Sequence, residues 1–127
     1  DFERGLHAQV SAGLPPAPPV RVDREVDDGD VLDFGGGAQV ISTPGHTDGS
    51  IAVYLPHHGV LFTGDIAAEH SGRVMLGVFN LDRAVVSRSL RRLAELDVDV
   101  ACFGHGDPAV QDASARLREV AKTLPHE

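Results

Sequence analysis

The sequence predicts an α/β fold of the α+β type, in which a mostly antiparallel sheet carries helices on one face. Short stretches with strand-like patterns, separated by glycine- and proline-containing turns, fill residues 20–63. Two longer stretches, 82–96 and the one that begins at Asp107-Pro108, repeat apolar residues every three to four positions, which is typical of amphipathic helices. A strand-like segment at 98–103 lies between them. This order favours helices packed in a layer against a sheet.

The elements follow in order along a single domain, 1–127, in which 1–19 is a connector and 20–127 is the main body. A weak helix at the N-terminus ends in the proline-rich segment 14–19, because proline lacks the amide hydrogen that a helix needs. Residues 66–80 contain glycine and no clear pattern, and are predicted to be an irregular loop. Strands are predicted at 20–22, 31–34, 39–43, 50–55, 60–63 and 98–103.

The final helix has its own start signal. Asp107 is expected to cap the helix and Pro108 to occupy its first turn. In the preceding helix, arginines are expected to face solvent at positions 88, 91 and 92.

Composition narrows the class of protein. The 127 residues are 42% hydrophobic and 24% charged, as in one globular domain, and the net charge of −8 argues against a nucleic-acid partner. No apolar run approaches the roughly 20 residues of a membrane span, and no signal peptide is visible. Cys102 is the only cysteine, so we expect no internal disulfide and a cytoplasmic location. Since the only methionine is Met75, we expect the natural protein to extend beyond Asp1.

Three segments share one pattern in which a strand ends, a glycine turn follows and a side chain able to bind metal is presented. These side chains are His46, Asp65 and His105, which lie 19 and 40 residues apart along the chain. Only a fold that aligns three strand ends could bring them together, and such rigid positions suit metal ligands. Two imidazoles and a carboxylate suit Zn²⁺, Fe²⁺ or Mn²⁺. The alternative is structural, with Asp65 capping a turn and the histidines bonded to backbone.

The residues around these side chains resemble the metallo-β-lactamase superfamily, closest to its glyoxalase II-like branch. The resemblance rests on Ile41-Ser42-Thr43-Pro44-Gly45-His46-Thr47-Asp48-Gly49-Ser50, on Leu61-Phe62-Thr63-Gly64-Asp65 and on Gly104-His105-Gly106. It implies half of a four-layer αββα sandwich, the C-terminal half. It also implies that His46 completes a first metal site, Asp65 bridges and His105 belongs to a second. The implied cofactor is one or two zinc ions, with iron or manganese as alternatives.

The reaction that the resemblance implies is attack of a metal-bound hydroxide on an ester, thioester, lactone or amide of a small-molecule substrate. The family also carries an N-terminal H-x-H-x-D-H motif, and these 127 residues contain no two histidines two positions apart. The other ligands and the general-base aspartate therefore lie outside this chain, which contains no catalytic residue of its own. We expect weak metal occupancy and little activity from this chain alone.

Three alternatives stay open. The chain could be a non-catalytic half-fold that forms a homodimer through its uncovered sheet face, with idle ligand residues. Thr47 could orient a metal ligand by a hydrogen bond or could cap the turn that follows it. His70, after Asp65, could contact substrate or could simply lie on the surface.

Overall fold

The computed structural model describes residues 2–125, with the backbone alone for residues 2–4 and 7. A five-stranded sheet is formed by β1 (Val31–Leu32), β2 (Ala38–Ser42), β3 (Ile51–Leu55), β4 (Val60–Phe62) and β7 (Val100–Cys102), in that order across the sheet. The first three pairings are antiparallel, and β4 pairs with β7 in parallel. The predicted fold class is confirmed.

The parallel pairing needs a crossover connection. The chain supplies it with a hairpin, β5 (Ala67–His70) and β6 (Arg73–Leu76), followed by helix α2 (Arg83–Ala94). Helix α1 (Phe2–Ser11) precedes the sheet and helix α3 (Ala113–Thr123) follows it. Within residues 2–125 no helix is long and apolar enough to cross a membrane.

The core lies between one face of the sheet and helices α2 and α3. Leu61 in β4 is fully buried, as are Leu90 in α2 and Leu117 in α3. Helix α2 begins where the Asp82 carboxylate accepts a hydrogen bond from the Val85 amide at 3.0 Å, which satisfies a free amide of the first turn. The loops that carry His46, Asp65 and His105 are therefore attached to a packed two-layer scaffold.

Three predictions of secondary structure were wrong. Residues 66–80 are not an irregular loop, because they contain the β5–β6 hairpin. Residues 20–22 form no strand. The last helix begins at Ala113 rather than at Pro108, because Ala109 and Ala101 form an antiparallel bridge with hydrogen bonds of 2.9 and 3.0 Å. Tertiary pairing overrides the local helix-start signal there.

An ion pair connects helix α2 to the segment that precedes the His46 loop. Arg92 donates to the Asp28 carboxylate at 2.9 Å and to the Ser42 carbonyl at 3.2 Å, and Asp28 also accepts from the Ser42 amide at 2.7 Å. The hydrogen bond from Arg92, followed by that from Ser42, lowers the pKa of Asp28 below its usual value. Arg92 is solvent-exposed as predicted, yet it also holds the end of β2 in place.

The sheet face away from the core carries a row of apolar side chains. Val53, Phe62 and Cys102 lie opposite one another on adjacent strands, and alternation places them on the face opposite to buried Leu61. Phe62 is 44% exposed and Ile51, on the same face, is 38% exposed. The described residues thus leave part of this apolar face in contact with solvent.

Candidate metal centre

The Asp65 carboxylate lies between the two histidines that the sequence singled out. Its Oδ2 is 3.3 Å from His46 Nε2 and its Oδ1 is 3.6 Å from His105 Nε2. The three predicted side chains therefore meet at one edge of the sheet. Each carboxylate oxygen faces a different imidazole.

These separations fit the donor set of a metal centre. Neighbouring ligand atoms around a tetrahedral ion, with bonds of about 2.0–2.2 Å, lie roughly 3.3–3.6 Å apart. Two imidazole nitrogens and a carboxylate suit zinc, iron or manganese. Among the side chains that the structure describes, no three from His, Cys, Asp or Glu enclose a single ion position. The geometry instead gives two ligand pairs that share Asp65, and each pair needs further ligands to complete a site.

Two glycines allow the backbone to approach Asp65. A Cβ at Gly104 would lie 1.8 Å from Asp65 Oδ1, and a Cβ at Gly77 would lie 1.8 Å from the Asp65 carbonyl oxygen. The Gly104 amide donates to the Gly64 carbonyl at 3.0 Å, and the Gly77 amide donates to the Ile66 carbonyl at 2.9 Å. The carboxylate is thus held in a cradle that only glycine permits.

Asn80 contacts the ring nitrogen of His46 that does not face Asp65, and it was not among the predicted site residues. His46 Nδ1 lies 3.4 Å from Asn80 Oδ1, and Asn80 Nδ2 donates to the Gly77 carbonyl at 2.7 Å. Since Gly77 engages the amide nitrogen, the amide oxygen faces the imidazole and favours a proton on Nδ1. The lone pair of Nε2 is then free on the side that faces Asp65. Asn80 is only 7% exposed and is the chain's single asparagine, but its burial is a property of the fold, so the sequence carries no local signal that identifies it.

Thr47 takes part in the turn and makes no hydrogen bond to the side chain of His46, Asp65 or His105. Its hydroxyl lies 2.8 Å from the Ser50 hydroxyl, and its amide donates to that same oxygen at 3.1 Å. These contacts favour the turn alternative for Thr47. The supporting role that the sequence analysis offered to Thr47 is filled by Asn80.

Glu69 fastens the loop that carries His105. The Glu69 amide donates to the His105 carbonyl at 3.0 Å, and its carboxylate accepts from the amides of Asp107, at 2.8 Å, and Gly72. The bond from Asp107, and then that from Gly72, lowers the pKa of Glu69. His105 itself is 78% exposed at its side chain, so its position is set by the loop. His70 is exposed at the end of β5, beside the hairpin turn.

A cavity of about 610 Å³ opens directly onto His46, Asp65 and His105. Helix α1 and the turn that follows it supply one part of its wall, strand β5 another, and the segment after β6 a third. Besides these three side chains, the lining residues are Val10, Ser11, Leu14, Thr47, Ala67, Ala68, Gly77, Val78, Phe79 and Leu81. His70 is not among them.

The family model of the metallo-beta-lactamase superfamily matches residues 2–105. The chain belongs to the metallo-β-lactamase superfamily. The predicted resemblance is confirmed by curated relatives: hydroxyacylglutathione hydrolases of Brucella ovis and Brucella abortus are 37% identical over 121 residues. That alignment covers 84% of this chain and 46% of the relatives. The chain therefore spans about half the length of the curated relatives it matches.

Solved structures of this superfamily share the fold. The metallo-beta-lactamase family protein TTHA1429 from Thermus thermophilus has 31% identity and a TM-score of 0.64, and the match covers 95% of this chain and 44% of that one. TTHA1623, solved in a di-iron-bound form, has 31% identity and a TM-score of 0.65, with 98% and 59% coverage. This chain thus corresponds to part of a metallo-β-lactamase fold, and the family is metal-dependent.

Proposed function

We propose that these residues belong to a metal-dependent hydrolase that cleaves an ester, thioester, lactone or amide, and that it works in the cytoplasm. The observation that supports this is the Asp65 carboxylate facing one histidine on each side, at 3.3 and 3.6 Å. Similarity to hydroxyacylglutathione hydrolases favours a thioester among these substrates. These 127 residues alone supply two incomplete ligand pairs, so we propose that by themselves they bind ions weakly and hydrolyse little.

Each residue has a distinct role in this proposal. His46, Asp65 and His105 would hold one or two zinc ions, with iron as the alternative that the di-iron form of TTHA1623 favours. When bound, such ions lower the pKa of a coordinated water and polarise a carbonyl group. Asn80 keeps the proton of His46 on Nδ1, and Glu69 positions the His105 loop. The net reaction adds the oxygen of water to the acyl carbon and a proton to the leaving thiol, alcohol or amine.

Removal of the metal and substitution of Asn80 test this proposal. In the full gene product that contains these residues, thioester hydrolysis is expected to stop on chelation and to return with zinc or iron. In the 127-residue chain, Asn80→Ala is expected to weaken zinc binding about 10-fold in a chelator competition, because His46 loses its orienting partner. His58→Ala, in the exposed β3–β4 turn, is the matched control and should leave zinc affinity unchanged. Hydrolysis that persists without metal would refute the proposal.

The open sheet face supports a second proposal, that the chain self-associates into a homodimer. Phe62 and Ile51 are partly exposed there beside Val53 and Cys102, and an apolar surface of this kind favours burial against another copy. Light scattering is expected to show a dimer that Phe62→Lys converts to a monomer. Val31→Lys is the control, because Val31 is 60% exposed and the strand register places it on the same face as Leu61, opposite to Phe62. A monomeric parent chain would contradict self-association.

A further inference from the structure

Exposed apolar side chains concentrate around the cavity at the metal centre. Phe79 is 40% exposed and Leu14 is 65% exposed, and both line the cavity. Three more exposed apolar residues share that lining: Val10, Val78 and Leu81. Single exposed apolar residues are ordinary, but several around one concave surface mark a place where an apolar group binds.

The part of the cavity wall that this chain supplies carries few charged side chains. Among the lining residues of the described part of the chain, the ionisable side chains are His46, Asp65 and His105, and no lysine or arginine is present. A glutathione group carries two carboxylates, and carboxylates are bound most strongly by arginine and lysine. This wall of the cavity therefore offers an anionic leaving group or acyl group no cationic partner.

Phe79 holds an unusual backbone conformation in that wall. Its φ is +59°, in the left-handed region that bulky residues rarely adopt. Phe79 directly precedes Asn80, which is buried and faces His46, while Phe79 itself is exposed at the cavity. Such strain persists where the surrounding structure enforces it, often at functional sites. The backbone conformation at Phe79 thus places an apolar side chain on the cavity wall directly beside Asn80, the residue that faces His46.

We propose that this cavity binds an uncharged alkyl or aryl acyl group of the substrate, and that Phe79 determines the specificity for it. The inference rests on the proposed hydrolase function, because it places the scissile carbonyl at the His46–Asp65–His105 edge of the cavity. The acyl chain would then lie along Val78, Phe79 and Leu81. The preferred substrates are neutral acyl esters or thioesters, in contrast to the glutathione thioesters named for the relatives.

Two ligands that cannot be hydrolysed test the cavity without reference to turnover. Methyl hexyl ketone carries an apolar chain and a carbonyl, whereas S-methylglutathione carries the anionic group without an apolar chain. In the metal-free protein, NMR titration with the ketone is expected to shift the amide signals of Val78, Phe79 and Leu81, and S-methylglutathione is expected to leave them unchanged. Tighter binding of S-methylglutathione at these residues would overturn the proposal.

Variants of Phe79 sharpen the test. Phe79→Ala is expected to weaken ketone binding about 10-fold, because most of the apolar contact of the ring is lost. Phe79→Leu keeps an apolar side chain and should weaken binding only about threefold, and it carries the test if the alanine variant does not fold. Phe34→Ala is the matched control, because Phe34 is 51% exposed and does not line the cavity. Equal weakening by Phe34→Ala and Phe79→Ala would overturn the specificity role.

Hydrolysis assays separate this inference from the proposed function. The assays use the full gene product that contains these residues. If it cleaves an octanoyl thioester of a small neutral thiol faster than a glutathione thioester, and does so only with metal, the result supports both the hydrolase and the apolar cavity. The reverse preference would overturn the apolar cavity and leave the hydrolase standing. Ketone binding at Phe79 without metal-dependent cleavage of any acyl substrate would overturn the hydrolase and leave the apolar cavity standing.

Discussion

The Gly104→Ala variant is expected to lose metal affinity by about 100-fold, although the change replaces none of the three proposed ligands. The new methyl group would stand 1.8 Å from Asp65 Oδ1, far inside van der Waals contact. The Asp65 carboxylate would have to turn away, and with it both ligand pairs would open, because His46 and His105 face its two oxygens. A single displaced carboxylate therefore disables both ion positions together.

Zinc affinity, measured by competition with a coloured chelator, checks this prediction. Gly49→Ala is the matched control, since Gly49 lies in the loop after His46 and a Cβ there would meet nothing within 4 Å. Circular dichroism should show the same secondary structure for both variants. Undiminished zinc binding by a folded Gly104→Ala protein would mean that Asp65 is not a ligand.

The Gly45→Ala variant is expected to lose about 3–5 kcal/mol of unfolding free energy, from overpacking together with backbone strain. Gly45 has a φ of +127°, and a Cβ there would lie 2.2 Å from the Val86 amide nitrogen and 2.5 Å from the Val86 α-carbon. These are backbone atoms of α2 and cannot move like the end of a flexible side chain. The helix would have to separate from the His46 loop, and the hydrogen bond from the Asp82 amide to the Gly45 carbonyl, at 2.9 Å, would break.

Urea unfolding followed by circular dichroism measures this loss. Gly49→Ala again serves as the control, and its unfolding free energy should stay within about 0.5 kcal/mol of the parent or rise slightly, because alanine restricts the unfolded chain. An unchanged midpoint for Gly45→Ala would show that the His46 loop does not pack tightly against α2. A refolded but loosened protein would show a lower midpoint together with weaker zinc binding.

The three side chains that the structure brings together could be singled out from the sequence because their signal is local. A glycine turn at the end of a strand presents His46, Asp65 or His105, and each pattern is readable within a few residues. Asn80 could not be found in this way, since its bond to His46 spans 34 positions and depends on tertiary packing. The same holds for Glu69, whose carboxylate accepts from the amide of Asp107, 38 positions away.

The errors in the predicted elements also have physical causes. Strand β5 reads Ala-Ala-Glu-His, a composition with little intrinsic strand preference, so only its pairing with β6 makes it a strand. The Asp107-Pro108 pair carries a helix-start signal, but the bridge between Ala109 and Ala101 extends the chain for several residues before α3 begins. In both places, long-range pairing decides against a local preference.

The distances along the chain between the three ligands have a consequence for folding. Ions held by the two candidate pairs, His46 with Asp65 and Asp65 with His105, would join loops that are 19 and 40 residues apart, and so they would cross-link the native chain much as disulfides do. An ion that binds the folded state alone adds about 1.4 kcal/mol of stability for each tenfold rise in its free concentration above the dissociation constant. The folded fraction of this protein would then follow the metal supply of the cell. A shortage of metal would expose the chain to proteolysis as well as stop the proposed hydrolysis.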